Sequence, residues 1–157
     1  MAAEVGSKAP DFTLVDQDFE PVTLSRQIGK TNVVLAFFPA AFSSVCTKEM
    51  CTLRDSTTRL NTMAATVYGI SVDTPFALKA WAAHERLTFP LLSDFNKTVI
   101  RQYGVFNEDM IGLKGIARRA VFVIDKAGVI RYREVLENAG SEPDYERLEQ
   151  ALAGIGT

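Results

Sequence analysis

This 157-residue chain predicts an α/β fold, with a mixed central sheet flanked by helices, in one domain over residues 1–157. Three observations carry that prediction. The apolar runs are short, β-branched and aromatic, and bounded by turn residues, as strands buried on both faces are. Helical patterns separate the runs in the front of the chain, as parallel βαβ units require. Two hairpin patterns, one at the N-terminus and one near the C-terminus, add antiparallel strands. The length fits one domain at about 100–200 residues per domain. With 47% hydrophobic and 23% charged residues, the chain can build a core that needs no disulfide staples.

Phe12–Val15 and Pro21–Leu24 flank polar residues and form the first hairpin pattern. Val33–Phe38 reads as a central strand ending at Pro39. Ser44 to about Met63 reads as a helix, with Cys46, Met50, Leu53 and Leu60 on one face and Lys48, Glu49 and Arg54 elsewhere. Val67–Val72 is the next strand, closed by the Asp73-Thr-Pro75 turn signal. Pro75 to Leu87 is a helix with proline in its first turn and Asp73 or Thr74 as cap. After a short strand, Asn96 to Tyr103 forms a brief helix that Gly104 stops. Ala120–Ile124 and Val129–Val135 pair as the second hairpin about Asp125-Lys-Ala-Gly128. Pro143 to Leu152 is the last helix, ending before Gly154. This order matches the thioredoxin architecture with an N-terminal β-hairpin extension.

Charge and length exclude several partners. Lys and Arg number 17 against 19 Asp and Glu, a net charge of −2, whereas nucleic-acid binding needs a basic excess or stripe. The longest apolar run, Val33 to Ala41, is far short of the ~20 residues of a membrane helix. Glu4 and the lack of an apolar h-region argue against a secretory signal. Two cysteines in such a chain point to a cytoplasmic thiol protein, with redox chemistry or catalysis favoured over a structural bridge. Zinc would need about four N or S ligands, which Cys46, Cys51 and the distant His84 do not supply. The lack of a C-x-x-C pair argues against a thioredoxin-type disulfide reductase despite the similar fold. His84 reads as solvated or locally paired, and Trp81 as packing its helix onto the sheet.

The chemistry concentrates where the central strand ends. A loop follows Pro39, and the helix beginning near Ser44 puts Cys46 in its first turn. Unpaired N–H groups and about half a positive charge gather at a helix N-terminus, and both favour thiolate over thiol. Many free cysteines are simply small buried hydrophobes, so position alone leaves both readings open. Ser43 fits an ordinary N-cap equally well.

Pro39, Ser43 and Cys46 form P-x-x-x-S-x-x-C, which resembles the P-x-x-x-[T/S]-x-x-C motif of peroxiredoxins. The resemblance implies that Cys46 is the peroxide-attacking nucleophile, that Pro39 shields it, and that the Ser43 hydroxyl orients the peroxide. Arg119, before Ala-Val-Phe-Val-Ile-Asp125, is similar to the arginine of the family's R-x-x-F-x-[IVL]-D, which holds the thiolate and polarises the peroxide. Arg118 reads as a solvated neighbour. Glu49, three residues after Cys46, matches a common family acid that positions the arginine; first-turn pairing with the helix dipole is the bland alternative. Val5 to Leu14, Phe89 to Asp94 and Tyr103 to Phe106 are also similar to family segments, so the likeness spans nearly the whole chain.

Phe106-Asn107-Glu108 looks most like the alkyl hydroperoxide reductase E group. Cys51 departs from that group. Its C-x-x-x-x-C spacing with Cys46 is similar to the bacterioferritin comigratory protein group, in which the second cysteine resolves the oxidised first one. A buried structural cysteine is the alternative. The family implies no metal or organic cofactor, a hydroperoxide substrate, a thioredoxin or glutaredoxin-like reductant, and a monomer or homodimer.

Overall fold

The computed structural model describes residues 3–156. Its elements in chain order are β1 (Thr13–Asp16), β2 (Pro21–Thr23), β3 (Asn32–Phe37), α1 (Ser44–Asp55), α2 (Thr57–Thr62), β4 (Ala65–Ser71) and α3 (Pro75–Glu85). There follow β5 (Leu91–Ser93), α4 (Thr98–Gln102), β6 (Phe106–Asn107), β7 (Ile116–Ala117), β8 (Ala120–Ile124), β9 (Ile130–Val135) and α5 (Tyr145–Ile155). The main sheet runs β2-β1-β5-β4-β3-β8-β9. β3, β4 and β5 are parallel, whereas β1 against β5, β8 against β3 and β9 against β8 are antiparallel. A mixed sheet with an antiparallel rear is therefore present. The N-terminal hairpin is part of it, because β1 hydrogen-bonds to β5.

Two apolar layers sandwich the sheet. The two-residue period of a strand sends Val33, Leu35 and Phe37 of β3 into one layer, with Ile100, Tyr103 and Phe122. Val34, Ala36 and Phe38 point into the other, with Cys46, Met50, Leu53, Trp81 and Leu148. That second layer seats α1, α3 and α5. Gly69 in β4 lets α1 come close: a Cβ there would lie 3.3 Å from Met50 Sδ and 2.7 Å from Leu91 Cδ2.

Several boundaries differ from the sequence reading. The helix expected from Ser44 to Met63 is broken at Ser56 into α1 and α2. Ser56 Oγ and Thr57 Oγ1 donate back to the Thr52 and Leu53 carbonyls, competing with the regular ladder. α4 begins at Thr98, not Asn96, because the Asp94 carboxylate accepts from the Thr98 and Ile100 N–H groups. α3 stops at Glu85, where Arg86 takes the left-handed conformation (φ 54°). Of its two candidate caps, Thr74 is the one used. The last helix starts later and runs past Gly154 to Ile155, capped by Asp144. The short β6–β7 pair has no counterpart in the sequence pattern, because two-residue strands carry no readable periodicity.

Candidate active site

β3 ends beside α1, and the connecting loop carries Pro39, Phe42 and Ser43. The buried Pro39 closes the end of β3. Asp73, just beyond β4, pins the loop, its Oδ2 accepting from Ala41 N–H at 2.8 Å and from Ser71 Oγ at 2.6 Å. The sequence reads Asp73 as a turn residue or a cap of α3, and nothing in its local pattern signals this contact. Phe42 holds a left-handed backbone (φ 68°), which costs a bulky residue energy and is typical of functional loops. Its ring packs toward Trp81 and His84.

Ser43 occupies the N-cap position of α1, but its side chain makes no cap hydrogen bond. Instead Ser43 Oγ donates to the Ala40 carbonyl at 2.8 Å. The hydroxyl oxygen keeps its lone pairs for another donor, and the first N–H groups of α1 remain free of a side-chain cap. Cys46 lies in that first turn, fully buried, with a free thiol.

Arg119, immediately before β8, reaches the same point. Nη1 donates to Cys46 Sγ at 3.2 Å and to Glu49 Oε1 at 2.8 Å. Nη2 donates to the Ala139 carbonyl at 2.9 Å, and the backbone carbonyl of Arg119 accepts from Leu136 N–H. The β9–α5 loop thus fixes the guanidinium from behind, a contribution no motif revealed. Burial works against the charge on Arg119, but Cys46 and Glu49 outweigh it and raise its pKa. Glu49 is also fully buried; desolvation pushes its carboxyl up to about 7 despite Arg119. Glu49 Oε2 and Arg119 Nε are buried without a protein partner. A cation 3.2 Å from sulfur, added to a helix N-terminus, stabilises negative charge on Cys46.

The structure therefore brings together Cys46, Glu49 and Arg119, with Ser43 at the N-cap of the same helix and Pro39 at the end of β3. Arg118 lines an open cleft of about 710 Å³ with Asn107, Met110 and Asn138. Cys51 is in α1 but faces Glu85 of α3, not Cys46. Trp81 is fully buried and donates to Thr47 Oγ1, tying α3 to α1. His84 pairs with Glu85.

Residues 5–133 match the AhpC/TSA family. The chain belongs to that family. Membership makes it a peroxiredoxin, a thiol-dependent peroxidase of the oxidoreductase class. It is 42% identical over 153 residues to alkyl hydroperoxide reductase E of Mycobacterium tuberculosis, covering 96% of this chain and 97% of that protein. It is 38% identical to the chloroplastic 2-Cys peroxiredoxin BAS1 of Spinacia oleracea, covering 97% of this chain and 60% of the relative. Among solved structures, peroxidoxin BcpB of M. tuberculosis superposes with a TM-score of 0.84 at 32% identity, over 98% of this chain and 96% of the other. A peroxiredoxin-like protein from Aquifex aeolicus gives 0.88 at 25% identity, over 99% and 89%. These neighbours carry the thioredoxin fold expected of the peroxiredoxin sequence. Among the described residues, no helix is long and apolar enough to cross a membrane.

Proposed function

We propose that this peroxiredoxin reduces hydroperoxides through Cys46. The observation that carries the reading is the Arg119 guanidinium shared between Cys46 Sγ and Glu49 Oε1 inside a water-poor layer. The Cys46 thiolate attacks the terminal peroxide oxygen in line with the O–O bond. The S–O bond forms and the O–O bond breaks. Cys46 becomes a sulfenic acid, and the departing oxygen takes a proton to leave as water or alcohol. Arg119 and the first N–H groups of α1 stabilise charge on the two oxygens, as preorganised donors do, while the Ser43 oxygen, whose proton goes to Ala40, accepts from the peroxide O–H. Pro39 shields the thiolate, and Glu49 positions Arg119.

Cys51 then resolves the sulfenic acid. Its sulfur bonds to Cys46 Sγ, the S–O bond breaks, and the thiol proton leaves with the hydroxyl as water. Two thiols of an external reductant, of thioredoxin or glutaredoxin type, restore both cysteines and are themselves oxidised to a disulfide. A thiol cycle recycled by an external reductant of this kind fits a reducing, cytoplasmic setting. A one-cysteine cycle is the second reading, favoured by the aim of Cys51 at Glu85 of α3 and away from Cys46. Mass spectrometry after one equivalent of peroxide separates the two. Loss of two hydrogens, with Cys46 and Cys51 in one linked peptide, supports resolution. A gain of oxygen on Cys46 alone supports the one-cysteine cycle.

A further inference from the structure

Cys51 sits where α1 meets the C-terminal end of α3. Its Sγ–H donates to Glu85 Oε1 at 3.4 Å. Glu85 Oε2 is held by His84 Nδ1 at 2.7 Å. Arg54, three residues beyond Cys51, donates through Nη1 to the Glu85 backbone carbonyl and fixes that residue from behind. Glu85 is the last residue of α3, at the negative end of the helix dipole, where a carboxylate is disfavoured. Its side chain is nevertheless only 19% exposed, held between the half-buried thiol and the exposed imidazole.

The charged groups about the sulfur are Glu85 from α3 and Arg54 and Asp55 from α1. Burial and then Glu85 raise the pKa of Cys51, and Arg54 does not offset them. Glu85 itself is held below the usual carboxylate range, chiefly by His84, so it is ionised near neutral pH.

We propose that Glu85, oriented by His84, is a positioning residue that holds Cys51 as a docked, protonated thiol while α1 is intact and releases it when the helix opens. The proposal rests on the reading that Cys51 resolves Cys46. Thiolates are the reactive form of cysteine. The carboxylate therefore keeps Cys51 inert toward peroxide and small disulfides until Cys46 has been oxidised. Unwinding α1 carries Sγ away from Glu85, and the thiol then behaves as a free one.

The test uses the folded Cys46→Ser protein, in which Cys51 is the remaining thiol. Its alkylation by iodoacetamide is followed from pH 6 to 10 by mass spectrometry. The expected profile has its midpoint above the ~8.5 of free cysteine. Adding Glu85→Gln should move that midpoint down by half a pH unit or more, raising alkylation at pH 7.5 by about threefold or more. His84→Ala should move it in the same direction by less. In urea all the proteins should alkylate alike. Superimposable folded profiles would overturn the proposal. So would a gain by one constant factor at every pH, because loosened packing alone produces that. The readout contains no Cys46, so the resolving role fails separately, by the absence of a Cys46–Cys51 bond in the oxidised wild type.

Discussion

Glu49→Gln isolates what burial does to this site. The carboxyl is fully enclosed, and desolvation lifts its pKa from 4.5 to about 7 against the pull of Arg119, with Glu142 and Glu134 adding to the rise. Between those pH values the folded protein keeps a proton on Glu49 that the unfolded chain has lost. The native state then binds more protons than the unfolded one, so stability falls as pH rises through the window. At about 1.4 kcal/mol per pH unit, the full effect above pH 7 is about 3 kcal/mol. Glutamine keeps the shape and an oxygen for Arg119 Nη1 but does not titrate. Urea unfolding of both reduced proteins from pH 4.5 to 8 measures the difference. The variant should gain on the wild type by about 3 kcal/mol across that range. A flat difference would refute the reasoning, and a difference of opposite sign would mean that the Arg119 ion pair outweighs desolvation.

Arg119→Ala should slow peroxide attack by about 10²-fold or more, because a preorganised donor at the reacting sulfur is lost. Stopped-flow comparison with Arg118→Ala, which should change little, checks the choice of arginine. Oxidation should open α1. Cys46 and Cys51 are five residues apart in an intact helix, so their Cα atoms are roughly 8–9 Å apart and their side chains about 140° apart. A disulfide needs about 7 Å or less. Amide exchange over residues 43–53 should therefore rise on oxidation and fall on reduction; unchanged exchange in the linked form would contradict this. Cys51→Ser should keep fast first turnover but accumulate sulfinic Cys46 under excess peroxide, seen as a gain of two oxygens. Gly69→Ala should lower stability by about 1–3 kcal/mol through overpacking, chiefly against Leu91 and then Met50, and unchanged thermal unfolding would contradict the close packing around Gly69.

Strand positions were legible because their residues are buried on both faces and end at strong turn chemistry, as at Val33–Phe38 and Ala120–Ile124. Helix ends were less so. Ser56 and Thr57 break α1 from α2 through hydroxyl bonds to the preceding turn, and an apolar stripe that continues to Leu60 hides the break. At the site, Pro39, Ser43, Cys46 and Glu49 share one local segment, which a spacing motif reads well. Arg119 joined them only through a second motif some seventy residues away. Asp73, Ala139 and Glu85 left no trace, because each acts through tertiary placement: a carboxylate on a loop N–H, a carbonyl behind a guanidinium, a helix-end acid turned to a thiol. The use of the Ser43 hydroxyl was also hidden, since a helix N-cap and a donor to Ala40 look identical in sequence.

Stopped-flow loss of the Cys46 thiol on mixing reduced protein with hydrogen peroxide tests the central claim most directly. Arg119 and the α1 N-terminus should make the second-order rate orders of magnitude faster than that of a free thiol, and Cys46→Ser should abolish the fast phase. A wild-type rate no faster than free cysteine, or a fast phase that survives Cys46→Ser, would contradict it.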